Sequence, residues 1–512
     1  MPEREHDSVG KMTHVPSDYK FRGHLWFAKR PGIGRFSEER SEDWTKAEAG
    51  YIPKERTYAG PGRNPFYAYH VFDKAHVVML TEQGIIPKGD GAAILEAFRR
   101  MEEEGVVEAR QRVGGEDHSG EAYLITELGW GVGGRIHVGR STGDLGYVSR
   151  RITARDYLLD IMDASLNVRE AMVDLVEKHI ETVMPGYSVT YQHAQPVTFG
   201  YYLMAFVKQL ERNFDKLEAA YSVQNISPAG SAIGMGTDFP GFDRYRQMEL
   251  LGFDGLFENC YDAGHNKDHA DVFGVLLCIN ESLSELAYDL ALFSTYEFRY
   301  VWPADRYCST SSIMPQKHNA SGFIFLSGMG SRTKGQIVQN AVDRAMIDTL
   351  NSLNMWPGIL STLTVYEDRM EKRAGEFWAQ AVDIAAQIVR EKGLPWRTAH
   401  QITATLVRVC IDEERTPQEV TPDLIDRCAK MVPEWGKPVG LSTEAISRAI
   451  DPRAMIERRN LIGGVAPVRV KEQIVKSRAL LERDMGRVEA KRKKLAEATR
   501  KLENAIDVIV GG

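Results

Sequence analysis

YVSRRITARDYLLDIMDASLNVREAMVDLVEKHIETVM, residues 147–184, runs for 38 residues without a glycine or a proline. Within it Leu158, Ile161, Met162, Met172, Leu175, Val176 and Ile180 recur at helical spacing. At 1.5 Å per residue an unbroken helix here would reach about 57 Å, far beyond the usual globular length. Farther along the chain, residues 241–302 lack proline altogether. In them Leu276, Ile279, Leu283, Leu286, Leu290 and Phe293 step by three and four, the seam of a helix packed in a bundle. A third long segment is expected over 321–355, where Gly322, Gly328 and Gly330 let neighbouring helices approach closely. These stretches predict an all-α fold whose central domain, residues 136–388, is a bundle of unusually long helices. Soluble helices of that length usually have partner subunits covering their apolar stripes.

The flanks differ in texture. Residues 1–70 are rich in glycine, proline, aromatic and charged residues, as in RPGIGRF and YAGPGRNPFY, and read as an extended arm. With a helical pattern over 69–104, broken at Pro87-Lys88-Gly89-Asp90, they make an N-terminal unit of residues 1–135. Beyond residue 388, prolines and Gly393 cut the chain into shorter helical units, predicting a small domain over 389–512. Its last stretch, 470–509, reads as a solvated amphipathic helix, because Glu472, Glu482, Glu489, Glu497 and Glu503 interleave its basic residues.

Composition narrows the function. The 512 residues carry 64 Lys and Arg against 71 Asp and Glu, a net charge of −7, which offers nothing to nucleic acid or an anionic membrane. No apolar run approaches the length of a spanning helix, and the first residues lack the apolar core of a secretory signal. Five scattered cysteines without a CxxC pair exclude a disulfide scaffold and suit the cytoplasm. No phosphate loop or nucleotide fingerprint is present, so neither cofactor nor metal is expected.

The segment Cys308-Ser-Thr-Ser-Ser-Ile-Met-Pro-Gln-Lys-His-Asn319 stands apart from its helical surroundings. Pro315 stops a helix, and the loop carries hydroxyls, a lysine and an amide. A serine whose pKa is lowered by neighbouring donors serves as a base, and a lysine neutralises a developing carboxylate anion. Ser-Ser-Ile-Met-Pro-Gln-Lys-His-Asn resembles the signature loop of the aspartase/fumarase superfamily, Gly-Ser-Ser-x-Met-Pro-x-Lys-x-Asn. Glu249-Leu-Leu-Gly-Phe-Asp-Gly255, Glu258-Asn-Cys-Tyr-Asp-Ala263, Lys392-Gly-Leu-Pro-Trp-Arg-Thr-Ala-His400 and Gly463-Gly-Val-Ala-Pro467 are similar to its argininosuccinate lyase branch.

The resemblance implies a homotetramer with a 20-helix core and four active sites, each built from three subunits. It implies β-elimination from a succinyl-type, N-substituted aspartate through an aci-carboxylate dianion, releasing fumarate by C–N cleavage. Ser311 is then the base, while Lys317 and Asn319 hold the carboxylate, with Ser312 and Met314 beside them. His137-Val-Gly-Arg140-Ser141-Thr142-Gly143-Asp144 is similar to the family's His-Thr-Gly-Arg-Ser-Arg-Asn-Asp, which places Arg140, Ser141 and Thr142 at the substrate. Thr142 and Gly143 replace an Arg-Asn pair.

The chain departs from the pattern on the acid side. Gly186-Tyr-Ser-Val-Thr-Tyr-Gln-His-Ala-Gln-Pro196 is one residue longer than Gly-Tyr-Thr-His-Leu-Gln-Arg-Ala-Gln-Pro. Neither register puts a histidine at the family's acid position, which Thr190 or Val189 fills, and Ile324 stands where its partner glutamate would be. Joint loss is coherent, because a buried carboxylate without its partner is costly. The proton donor is then His193 or Tyr191, with Thr190 and Gln192 as substrate contacts. The family's arginine-holding stretch is also not kept around Gln339–Asp348, which favours a substrate other than argininosuccinate. Three alternatives compete: a genuine argininosuccinate lyase, a catalytically silent homologue, and a metal hydrolase on His265-Asn-Lys-Asp268-His269. Tyr19, Trp26 and Arg35 of the arm are candidates to cover a neighbour's site.

Overall fold

The computed structural model describes residues 41–49, 66–188, 191–264, 268–311, 313–314 and 317–512. Among these the chain is all-α, with strands of only two to seven residues. Helix α1 (Phe66–Glu82) is buried on nearly every side and, with Lys88–Glu104, builds an N-terminal apolar cluster around Phe72, Val78, Leu80, Ile94 and Phe98. Pro87 precedes the second of these helices, where a missing N–H costs nothing.

The glycine- and proline-free run supplies most of α2 (Thr142–Lys178), 37 residues capped by Ser141. The helix starts before the run, takes in Gly143 and Gly146, and ends at Lys178, short of the expected Met184, because the chain turns at His179 into the strand that begins at Val183. It packs with α3 (Phe199–Gln224) and α4 (His269–Phe293) into the central core. All six residues of the predicted α4 seam are buried. Between α2 and α3 the chain makes an antiparallel strand pair, β1 (Val183–Ser188) and β2 (Gln192–Thr198); residues 189 and 190 are outside the described set.

The third segment is not one helix. It comes as Ser321–Ser327, α5 (Met329–Val338) and α6 (Val342–Ser361). The Ser284 hydroxyl of α4 causes the first break. It donates to the Leu326 carbonyl at 3.2 Å and accepts the Gly330 N–H at 2.9 Å, taking both ends of what would be one helical hydrogen bond. Asn340, in the left-handed region at φ +52°, makes the second.

Residues 384–450 form a separate apolar cluster. The last helix, α7 (Pro467–Gly511), lies elsewhere. Its Val470, Ile474, Leu481 and Val488 join the central core, and Leu502, Ile506 and Ile509 join the N-terminal cluster. Its charged face is paired rather than merely solvated: Arg478 meets Asp174 and Glu177, Lys491 meets Glu218, and Arg169 of α2 reaches Asp484 at 2.7 Å. The expected 389–512 unit therefore covers two kinds of packing, a local cluster and a long strut along the other two cores. The arm, expected without regular structure, contributes the helix Glu42–Ala49, with Trp44 buried in the central core. Tyr19, Trp26 and Arg35 lie outside the described residues.

Candidate active site

The signature loop is a small hairpin. Ser309 pairs with Asn319 and Thr310 with His318, and the Thr310 hydroxyl donates to the Lys317 carbonyl at 2.8 Å. Its base is fixed by aromatic packing. His318 stacks on Trp302 at 4.0 Å between centroids, and its Nε2 faces Asp305 at 3.4 Å. Tyr307, buried beneath, donates to Asp43 of the arm helix at 3.2 Å. On this support the Ser311 Oγ accepts the backbone N–H groups of Ile313 at 3.2 Å and Met314 at 3.1 Å. Two donors aimed at one hydroxyl oxygen favour its anionic form, the requirement for a serine base. The Lys317 and Met314 side chains are exposed and Asn319 is half-buried; Ser312 lies outside the described residues.

The second motif is built differently. Gly139, at φ +73°, lets the chain turn where Phe242 would lie 2.6 Å from an added Cβ. Arg140 then enters the N-terminal cluster and donates to Asp73 at 2.6 Å, while Arg110 donates to the other Asp73 oxygen at 2.5 Å. Both Arg140 and Asp73 side chains are only 1 % exposed. Burial works to raise the Asp73 pKa, but the two guanidinium groups outweigh it and hold the carboxyl below its usual range. So enclosed a guanidinium positions the motif; the expected substrate contact by Arg140 is not what this packing presents. Buried His76 donates from Nε2 to the Val138 carbonyl at 3.0 Å. Ser141 and Asp144 form a capping box for α2, and Asp144 also accepts the Ser231 and Ala232 N–H groups. Thr142 keeps its hydroxyl toward the surface, 2.6 Å from His118 Nε2.

At the β1–β2 pair, His193 and Tyr191 part company. His193 Nε2 donates to the Arg373 carbonyl at 2.9 Å, its ring packs edge-on against Tyr187 and Phe377, and its Nδ1 is buried without a hydrogen-bond partner among the described residues. Burial is the main cause that lowers its pKa. That environment suits a neutral ring serving the fold. Tyr191 is 45 % exposed, in the left-handed region at φ +60°. Its ring lies 5.9 Å from Tyr288, and burial together with Asp289 pushes its pKa up to about 12. Asp289 accepts the Tyr202 hydroxyl at 2.7 Å. Gln192 is exposed at the start of β2, Thr190 lies outside the described residues, and Ile324 is 60 % exposed.

The expected residues thus gather in three neighbourhoods of one chain: the loop beside Trp302, the capped start of α2, and the strand pair beside Asp289. Sequence reasoning missed Asp73, Asp289 and the trio His118, Glu121 and His137, whose side-chain ligand atoms lie within 4.8 Å of one another. His118 and Glu121 stand three apart around a helix start, which was a visible signal; Asp73 and Asp289 gave none. In the His265–His269 stretch, residues 265–267 lie outside the described set and Asp268 is engaged by Arg151.

Residues 77–335 match the family described as Lyase, and residues 378–457 match the argininosuccinate lyase C-terminal family. The argininosuccinate lyase of Methanocaldococcus jannaschii is 35 % identical over 467 residues, covering 87 % of this chain and 94 % of the relative. That of Methanothrix thermoacetophila is 34 % identical over 459 residues, covering 85 % and 92 %. Among solved structures, EDDS lyase in complex with formate is similar with a TM-score of 0.85 and 29 % identity, covering 92 % of this chain and 96 % of that one. A fumarate lyase from Mesorhizobium shares the fold, with a TM-score of 0.66 at 19 % identity over 82 % and 97 %. The fold and the signature loop therefore define a lyase of the aspartase/fumarase superfamily. Within it, the chain belongs to the argininosuccinate lyase family and is a carbon–nitrogen lyase.

Proposed function

We propose that this lyase performs β-elimination on an N-substituted aspartate, releasing fumarate and an amine-type product. Ser311 takes the proton next to the carboxylate, and Lys317 and Asn319 hold the aci-carboxylate dianion that results. The observation that carries this is the pair of backbone N–H groups on Ser311 Oγ, which stabilise the alkoxide a serine base must pass through. Tyr191 is the better proton donor of the two candidates. A phenol with a pKa of about 12 is protonated at neutral pH and is matched to a strongly basic leaving nitrogen. Asp289, which accepts the Tyr202 hydroxyl and acts on Tyr191 through its charge, keeps the phenol in its protonated form. His193 holds the strand pair to the Arg373 carbonyl.

Argininosuccinate is a specific second substrate reading, supported by relatives of that name at 34–35 % identity over most of their length. Its guanidinium leaving group is the strong base a tyrosine donor suits. We propose a cytoplasmic homotetramer: Ile313 and Val338 are 82 % and 88 % exposed, apolar surface of the kind subunit contacts cover, and no helix among the described residues is long and apolar enough to cross a membrane. The test is incubation with argininosuccinate and a panel of other N-substituted aspartates, with fumarate followed by ultraviolet absorbance and the amine product by mass spectrometry. Fumarate from any member supports the class. Argininosuccinate turning over fastest selects the second reading, and no fumarate from any of them rejects both. Light scattering at four times the chain mass is expected.

A further inference from the structure

We propose that His118, Glu121 and His137 form a site for one divalent transition-metal ion, zinc-like in preference, at the entrance of α2. The geometry is that of ligands awaiting an ion. His118 Nδ1 and His137 Nδ1 converge on the same carboxylate oxygen, Glu121 Oε2, at 3.5 Å and 2.9 Å. Nitrogen and oxygen ligands about 2.0–2.2 Å from a metal lie roughly 2.9–3.4 Å from one another at the usual coordination angles, so these separations already bracket a metal's coordination edge. Two imidazoles and a carboxylate are a known donor set for zinc, iron and nickel, with positions left open for an exogenous ligand.

The surroundings orient the set. His118 Nε2 lies 2.6 Å from the Thr142 hydroxyl. With Nε2–H donating there, the Nδ1 lone pair is left facing Glu121, the outer hydrogen bond that metal-ligating histidines characteristically make. Each ligand sits on defined backbone. His118 stands at the residue before the helix Ser119–Leu128, Glu121 lies in that helix's first turn, and His137 ends the turn Gly134–His137. The side chains are 37 %, 20 % and 42 % exposed, so an ion has a path in. The positive end of α2 is offset by the Asp144 carboxylate of its capping box. The ion would also sit beside Thr142, where the family pattern has an arginine, and would supply positive charge where this chain has lost it.

The test uses the full-length protein, stripped with chelator and titrated with zinc by calorimetry, and with cobalt followed by its visible absorption bands. One ion per chain with histidine-nitrogen ligation is expected. His118→Gln and His137→Gln should each weaken zinc binding by at least about 10²-fold, and Thr142→Val by about 10-fold, because it removes only the orienting hydroxyl. Circular dichroism and melting of the same variants check that each is folded. Stoichiometric zinc binding that survives in the folded His118→Gln/His137→Gln double variant would place the ion elsewhere and overturn the site. So would absence of zinc and cobalt binding by the parent protein.

Discussion

The loop at 308–319 and the motif at 137–144 come from one family pattern, yet they spend their polar groups in opposite ways. In the loop, backbone donors serve a side chain: two N–H groups point at Ser311 Oγ, and the Lys317 and Met314 side chains face outward. In the motif, side chains serve the backbone and one another: Arg140 is enclosed with Asp73, His76 holds the Val138 carbonyl, and Ser141 with Asp144 caps α2. The same degree of sequence match therefore carries different information in the two places. A matched residue enclosed against a buried partner, as Arg140 is against Asp73, serves the frame; one whose reactive atom is prepared and accessible, as at Ser311, is the one proposed to act.

That contrast can be broken most forcefully at Asp73. Asp73→Asn leaves two buried arginines facing a neutral group, so it should cost about 3–5 kcal/mol of stability, read by denaturant unfolding. A variant as stable as the parent would show the motif to be less structural than its burial indicates. Lys317→Met should do the reverse, with a melting temperature near the parent's and kcat/KM down by about 10²-fold or more, because its charge meets substrate and dianion alike. A marked loss of stability there would blur the distinction. Next comes the strand pair: Tyr191→Phe should lower turnover by about 10- to 10²-fold on a basic leaving group and less on an activated one. His193→Gln should act mainly on stability, and a leaving-group-dependent loss of turnover in that variant would return the acid role to His193.

At neutral pH the supporting frame contributes no titration effect, but a pH dependence appears in acid. Burial lowers the His179 pKa to about 4 from an ordinary 6.5. Between those values the unfolded chain binds a proton that the folded chain excludes, so stability is fully present above pH 6.5 and falls as the pH drops toward 4. Melting should therefore move down across that window, and His179→Gln, if folded, should flatten the slope.

What the sequence made legible were features local in the chain. The unbroken run at 147–184 announced α2 because glycine and proline are the residues that interrupt helices, and the seam from Leu276 to Phe293 announced α4. The loop at 308–319 was conspicuous as a polar break between long helices, and it was the family resemblance that marked Ser311 and Lys317 on it as candidates. The rest depended on partners far along the chain. The break at Gly328 is made by Ser284, some forty residues away, and Arg140 is claimed by Asp73, 67 residues earlier. The carbonyl that turns His193 inward belongs to Arg373, 180 residues later. The amphipathic pattern of α7 showed a helix with two faces, but nothing in it indicated that one face would span both the central and the N-terminal cores.

We propose that Ser311, prepared by two backbone donors, removes the proton in a fumarate-releasing elimination. The deciding measurement is the rate of fumarate release from an accepted N-substituted aspartate in Ser311→Ala beside the parent, with both melted under the same conditions. The predicted result is a loss of at least about 10²-fold in kcat with little change in melting temperature. Undiminished fumarate release by the alanine variant would contradict the account.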